Sequence, residues 1–257
     1  MMVNNDINIV KNVDFVLKLI DDYDLSKPKG KLVFVLNDRV VIPIVKNSGT
    51  YIFVNLELNS QVNILYIKSD YYFSREIIIS LNFNALFDMS VLKLKPKYIY
   101  PYFKKGTIIK FTTFNKHKET VASSICSYID DKNNYDARII DNVNGKFLIK
   151  GAYEEYLFGN KYITQKEKLI ESNVISLYEK GIYIISTADS KLLDIGDKLY
   201  NATFTTTDEN GNGVVYFNNF IKNKININIV LKSFDLIKEV SMQIEENKIY
   251  NLGSLYF

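Results

Sequence analysis

Gly49-Thr50-Tyr51-Ile52-Phe53-Val54-Asn55-Leu56 has a counterpart far down the chain, Gly213-Val214-Val215-Tyr216-Phe217-Asn218-Asn219-Phe220. Each is followed by an alternating apolar run and a Lys-Ser pair, Lys68-Ser69 and Lys232-Ser233. An aromatic-rich bend comes next, then a basic-Glu-aliphatic step, Arg75-Glu76-Ile77 and Lys238-Glu239-Val240. A spacing of about 164 residues is too wide for the stacked units of a solenoid, so it predicts two related domains on one chain. The run that follows each copy alternates, which is the period of a half-buried strand.

Outward from the first copy the same pattern continues. Residues 13–20 alternate, and Lys31 to Leu36 and Arg39 to Ile44 flank a tight Asn37-Asp38 turn, a hairpin signature. Pro43 lacks the N–H a central strand needs and moves the second run to a sheet edge. Residues 61–68, 75–81 and 89–95 bring the count to about seven short runs, the spacing of a β-sandwich. Lys95 to Phe103 carries Pro96 and Pro101 and reads as a short, stiff connector. The expected organisation is a first sandwich over 1–95, a Pro/Tyr linker over 96–103, and a second sandwich over 104–257. A long insertion at about 120–200 interrupts the second. Inside it Asn144-Gly145 opens a hairpin, Gly181 to Ser186 is a strand, and Gln165 to Ser172 is compatible with one short helix. The fold class is all-β.

Composition agrees. Tyr 19 and Phe 16, with abundant Ile and Val, suit pleated surfaces, and only 11 Gly and 4 Pro exclude a low-complexity polymer. A net charge of +3 from 32 basic and 29 acidic residues is too balanced for a nucleic-acid footprint. Lys104-Lys105 and Lys116-His117-Lys118 read as solvated loops. Cys126 is the sole cysteine, so no internal disulfide forms. The start, Met-Met-Val-Asn-Asn-Asp-Ile-Asn, has no signal-peptide pattern, and no apolar run has bilayer-spanning length. The expectation is cytoplasmic synthesis without a signal peptide, no membrane insertion and no nucleic-acid partner.

Thr205 through Phe217, with its Asp-x-x-Gly turn, and the closing Leu252-Gly-Ser-Leu resemble the end of a carboxypeptidase-regulatory-like domain, a prealbumin-like, Ig-type β-sandwich. Ser48 to Leu56 and Lys68-Ser-Asp-Tyr-Tyr-Phe carry a weaker version. The resemblance covers about half the chain and implies tandem Ig-like/prealbumin-like sandwiches. A narrower similarity, through Tyr100-Pro101-Tyr102-Phe103 at the linker position, is to two-domain proteins of phage and phage-tail-like gene clusters. It implies a non-enzymatic structural or attachment component of a phage tail or contractile tail-like particle, at its baseplate or a fibre, with other subunits as partners. It also implies no catalytic residues and no cofactor.

The polar groups give little chemistry. His117 is the only histidine, so a Ser-His-Asp triad or multi-histidine metal site would have to centre on it; its Asn-Lys-His-Lys-Glu setting reads as a surface turn. Cys126 sits in an apolar run and reads as a small buried hydrophobe. Asp208-x-Asn210-x-Asn212-Gly213 copies the first half of a calcium loop. The closing Glu position is Asn219, however, and a turn explains the same residues, so the motif is only a candidate metal site. The acid pairs Asp21-Asp22, Asp130-Asp131, Glu154-Glu155 and Glu245-Glu246 put adjacent carboxylates on opposite faces of a strand and read as solvated loop charge. The alternative to a structural role is a carbohydrate- or surface-binding adhesion module: Tyr71-Tyr72-Phe73 in the bend between strands would stack on a cell-surface glycan. Trp is absent, and packing under the loop is the competing explanation for these rings.

Overall fold

The computed structural model describes residues 13–59, 62–80, 90–130, 137–144, 146–151, 161–165, 169–179, 181–187, 191, 193–217 and 223–257. The chain separates into two compact units, Met1–Lys104 and Lys105–Phe257.

The first unit is a sandwich. Its strands are β1 (Val13–Asp21), β2 (Val33–Leu36), β3 (Arg39–Val41), β4 (Ile44–Val45), β5 (Thr50–Val54), β6 (Val62–Lys68), β7 (Arg75–Ser80) and β8 (Ser90–Leu94). They form two four-stranded sheets, β4-β5-β1-β8 and β3-β2-β6-β7. Alternation decides which residues meet between them: Leu17 and Leu19, Tyr51 and Phe53 from one sheet, Phe34 and Leu36, Leu65 and Ile67 from the other, all buried. Phe34 bridges the layers, its ring 5.2 Å from Tyr51 and 5.3 Å from Phe53. Asn37 and Asp38 both take positive φ, as a two-residue hairpin turn requires. Pro43 falls between β3 and β4, the edge strands of different sheets, so the aliphatic run is split and passed from one layer to the other.

The second unit contains β9 (Thr107–Phe114), β10 (Ser124–Ile129), β11 (Ala137–Val143), β12 (Lys146–Gly151), β13 (Lys161–Gln165), β14 (Leu169–Glu179), β15 (Ile182–Thr187), β16 (Lys198–Thr206), β17 (Asn212–Phe217), β18 (Lys224–Ser233), β19 (Leu236–Glu245) and β20 (Ile249–Tyr256). A three-stranded sheet β17-β9-β20 faces the β16-β10-β18-β19 part of a nine-stranded sheet. Ile109, Phe111 and Val215 of the first pack with Ile125, Ile227, Ile229, Leu231 and Ile244 of the second.

The two units share one pairing scheme. In the first, β1 pairs β5 antiparallel and β8 parallel, while β2 pairs β3 and β6, and β6 pairs β7. In the second, β9 pairs β17 antiparallel and β20 parallel, while β10 pairs β16 and β18, and β18 pairs β19. The Lys-Ser pairs coincide: Lys68 lies opposite Val33, and Lys232 opposite Ser124. The glycines align two residues away from the sequence match. Gly49 corresponds to Gly211, because the Gly49 carbonyl accepts the Leu19 N–H and the Gly211 carbonyl accepts the Thr113 N–H, both at 2.9 Å. Both take positive φ, 81° and 73°, and a Cβ on either would lie 2.7 Å from the partner strand's carbonyl oxygen, at Leu19 or Thr113. Only glycine fits that approach without displacing backbone.

Where the first unit turns through Asn37-Asp38, the second inserts β11 to β15. These strands and β16 pair in the order β11-β12-β15-β14-β13-β16, and β16 pairs back to β11 through Ala137↔Leu199 and Arg138↔Lys198, closing a ring. Alternate residues of four of these strands (Ala137, Ile139, Phe147, Ile149, Tyr183, Ile185 and Leu199) gather with Leu193 into one buried cluster. β16 belongs to both bodies: Ala202 pairs Tyr128 on one edge and Lys161 on the other. Of the segment compatible with a helix, Gln165 ends β13 and Leu169 to Ser172 open β14, the two strands pairing through Gln165↔Leu169, while residues 166–168 lie outside the described residues; at the described positions cross-strand pairing overrides a locally helix-compatible composition.

Candidate functional site

The densest polar cluster of the first unit is one that its sequence disguises as surface charge. Along β1 the inward positions are Leu17, Leu19 and Asp21, and Asp21 is fully buried, at 0% exposure. The solvated-charge expectation for Asp21 is therefore corrected: period-two alternation carries this carboxylate to the core face. A buried carboxylate needs partners. Oδ1 accepts the Tyr23 N–H at 2.9 Å, and Oδ2 accepts the hydroxyls of Tyr72, at 2.8 Å, and Tyr100. Lys29 Nζ stands 3.7 Å from Oδ2, donates to Tyr100 Oη at 3.3 Å and pairs with the Asp24 carboxylate. The Lys29 N–H donates to Tyr72 Oη at 2.9 Å.

Aromatic rings wall off this polar knot. Tyr100 packs edge-on to Phe103 at 4.8 Å and to Tyr102 at 5.5 Å, and Tyr23 packs on Phe103 at 5.0 Å. Tyr71 stands edge-on to Tyr102 at 5.7 Å and roofs Gly30, whose φ is 78° and where a Cβ would lie 2.6 Å from the Tyr71 ring. The segment after β8 closes over the bend between β6 and β7: Phe73 N–H donates to Lys95 O at 3.0 Å and Lys97 N–H donates to Tyr71 O at 2.8 Å. Tyr72 forms a bridge with Pro96. Lys95 to Phe103 is thus bonded onto the first unit along much of its length.

The electrostatics follow from this burial. Tyr72 and Tyr100 are pushed well above the ordinary phenol value, first by burial and then by the Asp21 carboxylate to which they donate. The amide hydrogen bond from Lys29 opposes this at Tyr72 and is outweighed. At Asp24 burial acts upward, but the Lys29 ammonium and the Ser26 hydrogen bonds prevail and hold the carboxyl below its usual value.

Each of the other expected residues has a definite place. Tyr72 is fully buried and both its face and its hydroxyl are occupied, so it is no platform for a sugar ring; Tyr71 and Phe73 are partly buried in the same packing. Asp208 Oδ1 accepts the N–H groups of Asn210, at 2.9 Å, and Asn212, at 2.8 Å, and Oδ2 accepts the Asn212 amide at 3.3 Å. The Asp208 N–H donates to Asn212 O and the Gly211 N–H to Asp208 O, so these residues make a self-bonded turn. Asn219, Glu154-Glu155, Asp131 and Gly145 lie outside the described residues. His117 is exposed in a loop ordered by the Asn115 side chain, whose Oδ1 accepts the His117 and Glu119 N–H groups. Cys126 is buried. Among the described residues no three His, Cys, Asp or Glu side chains converge in a way that would hold a metal ion. Nor is any helix among them long and apolar enough to cross a membrane. At the other end of the first unit an open groove of about 440 Å³ lies between the Asn37-Asp38 hairpin and Asn55–Asn59, spanned by an Arg39–Glu57 ion pair.

No protein-family model and no curated protein sequence matches the chain. Among solved structures, the shaft pilin SpaA of Lactobacillus rhamnosus GG is similar at 15% identity and a TM-score of 0.25, over 94% of this chain and 96% of that one. The TIE protein of Bacillus anthracis is similar at 10% identity and a TM-score of 0.22, over 95% of this chain and 50% of that one. The major pilin subunit BcpA of Bacillus cereus is similar at 13% identity and a TM-score of 0.21, over 92% and 69%. Likeness at this level lends no function to the chain.

Proposed function

We propose that the chain is a non-catalytic building and attachment protein, one subunit of a larger protein assembly. The observation that carries this reading is the duplication: one sandwich pairing scheme is used twice, and the polar cluster around Asp21 is spent on tying β1 to the β6–β7 bend and to the segment after β8. Edge strands such as β3, β7 and β19 offer unpaired backbone groups through which such a subunit can join others. The finer assignment, a component of a phage tail or contractile tail-like particle, is supported by the sequence resemblance in residues 48–73, 100–103 and 205–255. Density-gradient fractionation of native lysate tests the general reading: the chain should migrate with a large particle and cross-link to defined subunits. Migration as a free monomer under all conditions sinks it. Negative-stain imaging of particles with and without the gene tests the finer assignment, which unchanged particle composition and infectivity would exclude.

A further inference from the structure

The duplication makes each unit a reference for the other. In both units the first strand runs toward the same end as the last, and the β6–β7 bend and the β18–β19 turn lie at that end. In the first unit this end is covered. Tyr72 has 0% exposure because Lys95 to Phe103 crosses the bend, donating and accepting backbone hydrogen bonds, bridging through Pro96 and stacking its tyrosines on the cluster. Among the described residues no segment covers the large apolar side chains at the corresponding end of the second unit. Phe234 is 91% exposed and Leu236, on the face of β19 that Val240 and Met242 turn to the core, is 53% exposed.

The turn itself is unfavourable for a phenylalanine. Phe234 has φ 50°, a left-handed conformation that asparagine or glycine tolerates and that costs a bulky residue about 1–2 kcal/mol. Close by in the pairing scheme, Tyr256 at the end of β20 stacks on Phe114 at 5.5 Å and remains 45% exposed.

We propose that the β18–β19 end of the second unit is a docking site for an extended polypeptide segment bearing proline and aromatic side chains, the chemistry that Lys95 to Phe103 presents to the matching end of the first unit. The segment lies across Phe234 and Leu236 and adds backbone hydrogen bonds beside the end of β20. The probe is a labelled peptide of residues 95–103, titrated into the full-length chain and followed by fluorescence anisotropy. Its control replaces Pro96, Pro101 and the tyrosines with serine. The diagnostic variant is Phe234→Asn, which suits the left-handed turn, so its thermal midpoint should equal or exceed that of the parent. Saturable binding of the peptide, weakened at least about tenfold by Phe234→Asn and by the serine peptide, supports the proposal. Absence of saturable binding at millimolar peptide overturns it, as does binding indifferent to Phe234→Asn. Sedimentation of the chain with phosphatidylcholine/phosphatidylserine vesicles, or concentration-dependent dimerisation, abolished by Phe234→Asn in the absence of peptide binding, replaces it with a membrane surface or a second copy.

Discussion

At the residue scale the decisive group is Asp21. Its carboxylate is stable in the core because two phenols and an amide satisfy it and an ammonium stands near. Asp21→Ala should cost about 3–5 kcal/mol, measured by urea unfolding, because both tyrosine hydroxyls and the Tyr23 N–H lose their acceptor. Tyr72→Phe removes one donor and should cost about 1.5–3 kcal/mol. The phenols also set an alkaline limit. Their folded values are raised, so the stability they contribute is complete below the unfolded phenol value of about 10 and is lost as pH climbs from there toward the folded values. A thermal-melt series from pH 8 to 11 should show a steeper decline for the parent than for the Tyr72→Phe/Tyr100→Phe double variant; equal slopes would refute this. The sequence held a signal for the site, the inward register Leu17-Leu19-Asp21, but reading Asp21-Asp22 as a pair of adjacent acids hid it. Tyr72 and Tyr100 come from segments far apart in the chain, and no local pattern announces that they converge.

At the scale of elements, the alternating runs located most of the first unit's strands to within a few residues, because each has one buried and one exposed face. Pro43 was legible as an edge signal, but not as the point where the chain changes sheets, which depends on two layers meeting. Gln165 to Ser172 was ambiguous for the opposite reason. Its few polar and aliphatic residues fit helix or strand locally, and pairing to β15 and β16 decided the matter. The repeat was visible through its Lys-Ser pairs, while its glycines were matched two residues out of step, since that shift preserves which face each side chain occupies. Gly49→Ala and Gly211→Ala test the corrected match. Each forces a Cβ to 2.7 Å from a backbone oxygen at positive φ and should destabilise its own unit by about 1–3 kcal/mol. Hydrogen exchange should show the loss of protection confined to the first unit in one variant and to the second in the other.

For the whole molecule, the insertion is a closed sheet that shares β16 with the sandwich and is set into a hairpin position. Replacing residues 128–202 with Asn-Gly lets Ser127 and Thr203 close the turn as Leu36 and Arg39 do in the first unit. The shortened chain should keep a cooperative β-type circular dichroism transition for its second sandwich; a molten, non-cooperative product would show that the ring is required. A final consequence comes from the parallel neighbours β1–β8 and β9–β20, the opening and closing strands of their units. When a chain is stretched by its two ends, strands arranged this way slide lengthwise past each other, and every rung between them resists together instead of unzipping one by one. Each unit should therefore yield by shear when pulled end to end, with rupture governed by its unfolding rate. Optical-tweezer extension should record two separate, abrupt yielding events.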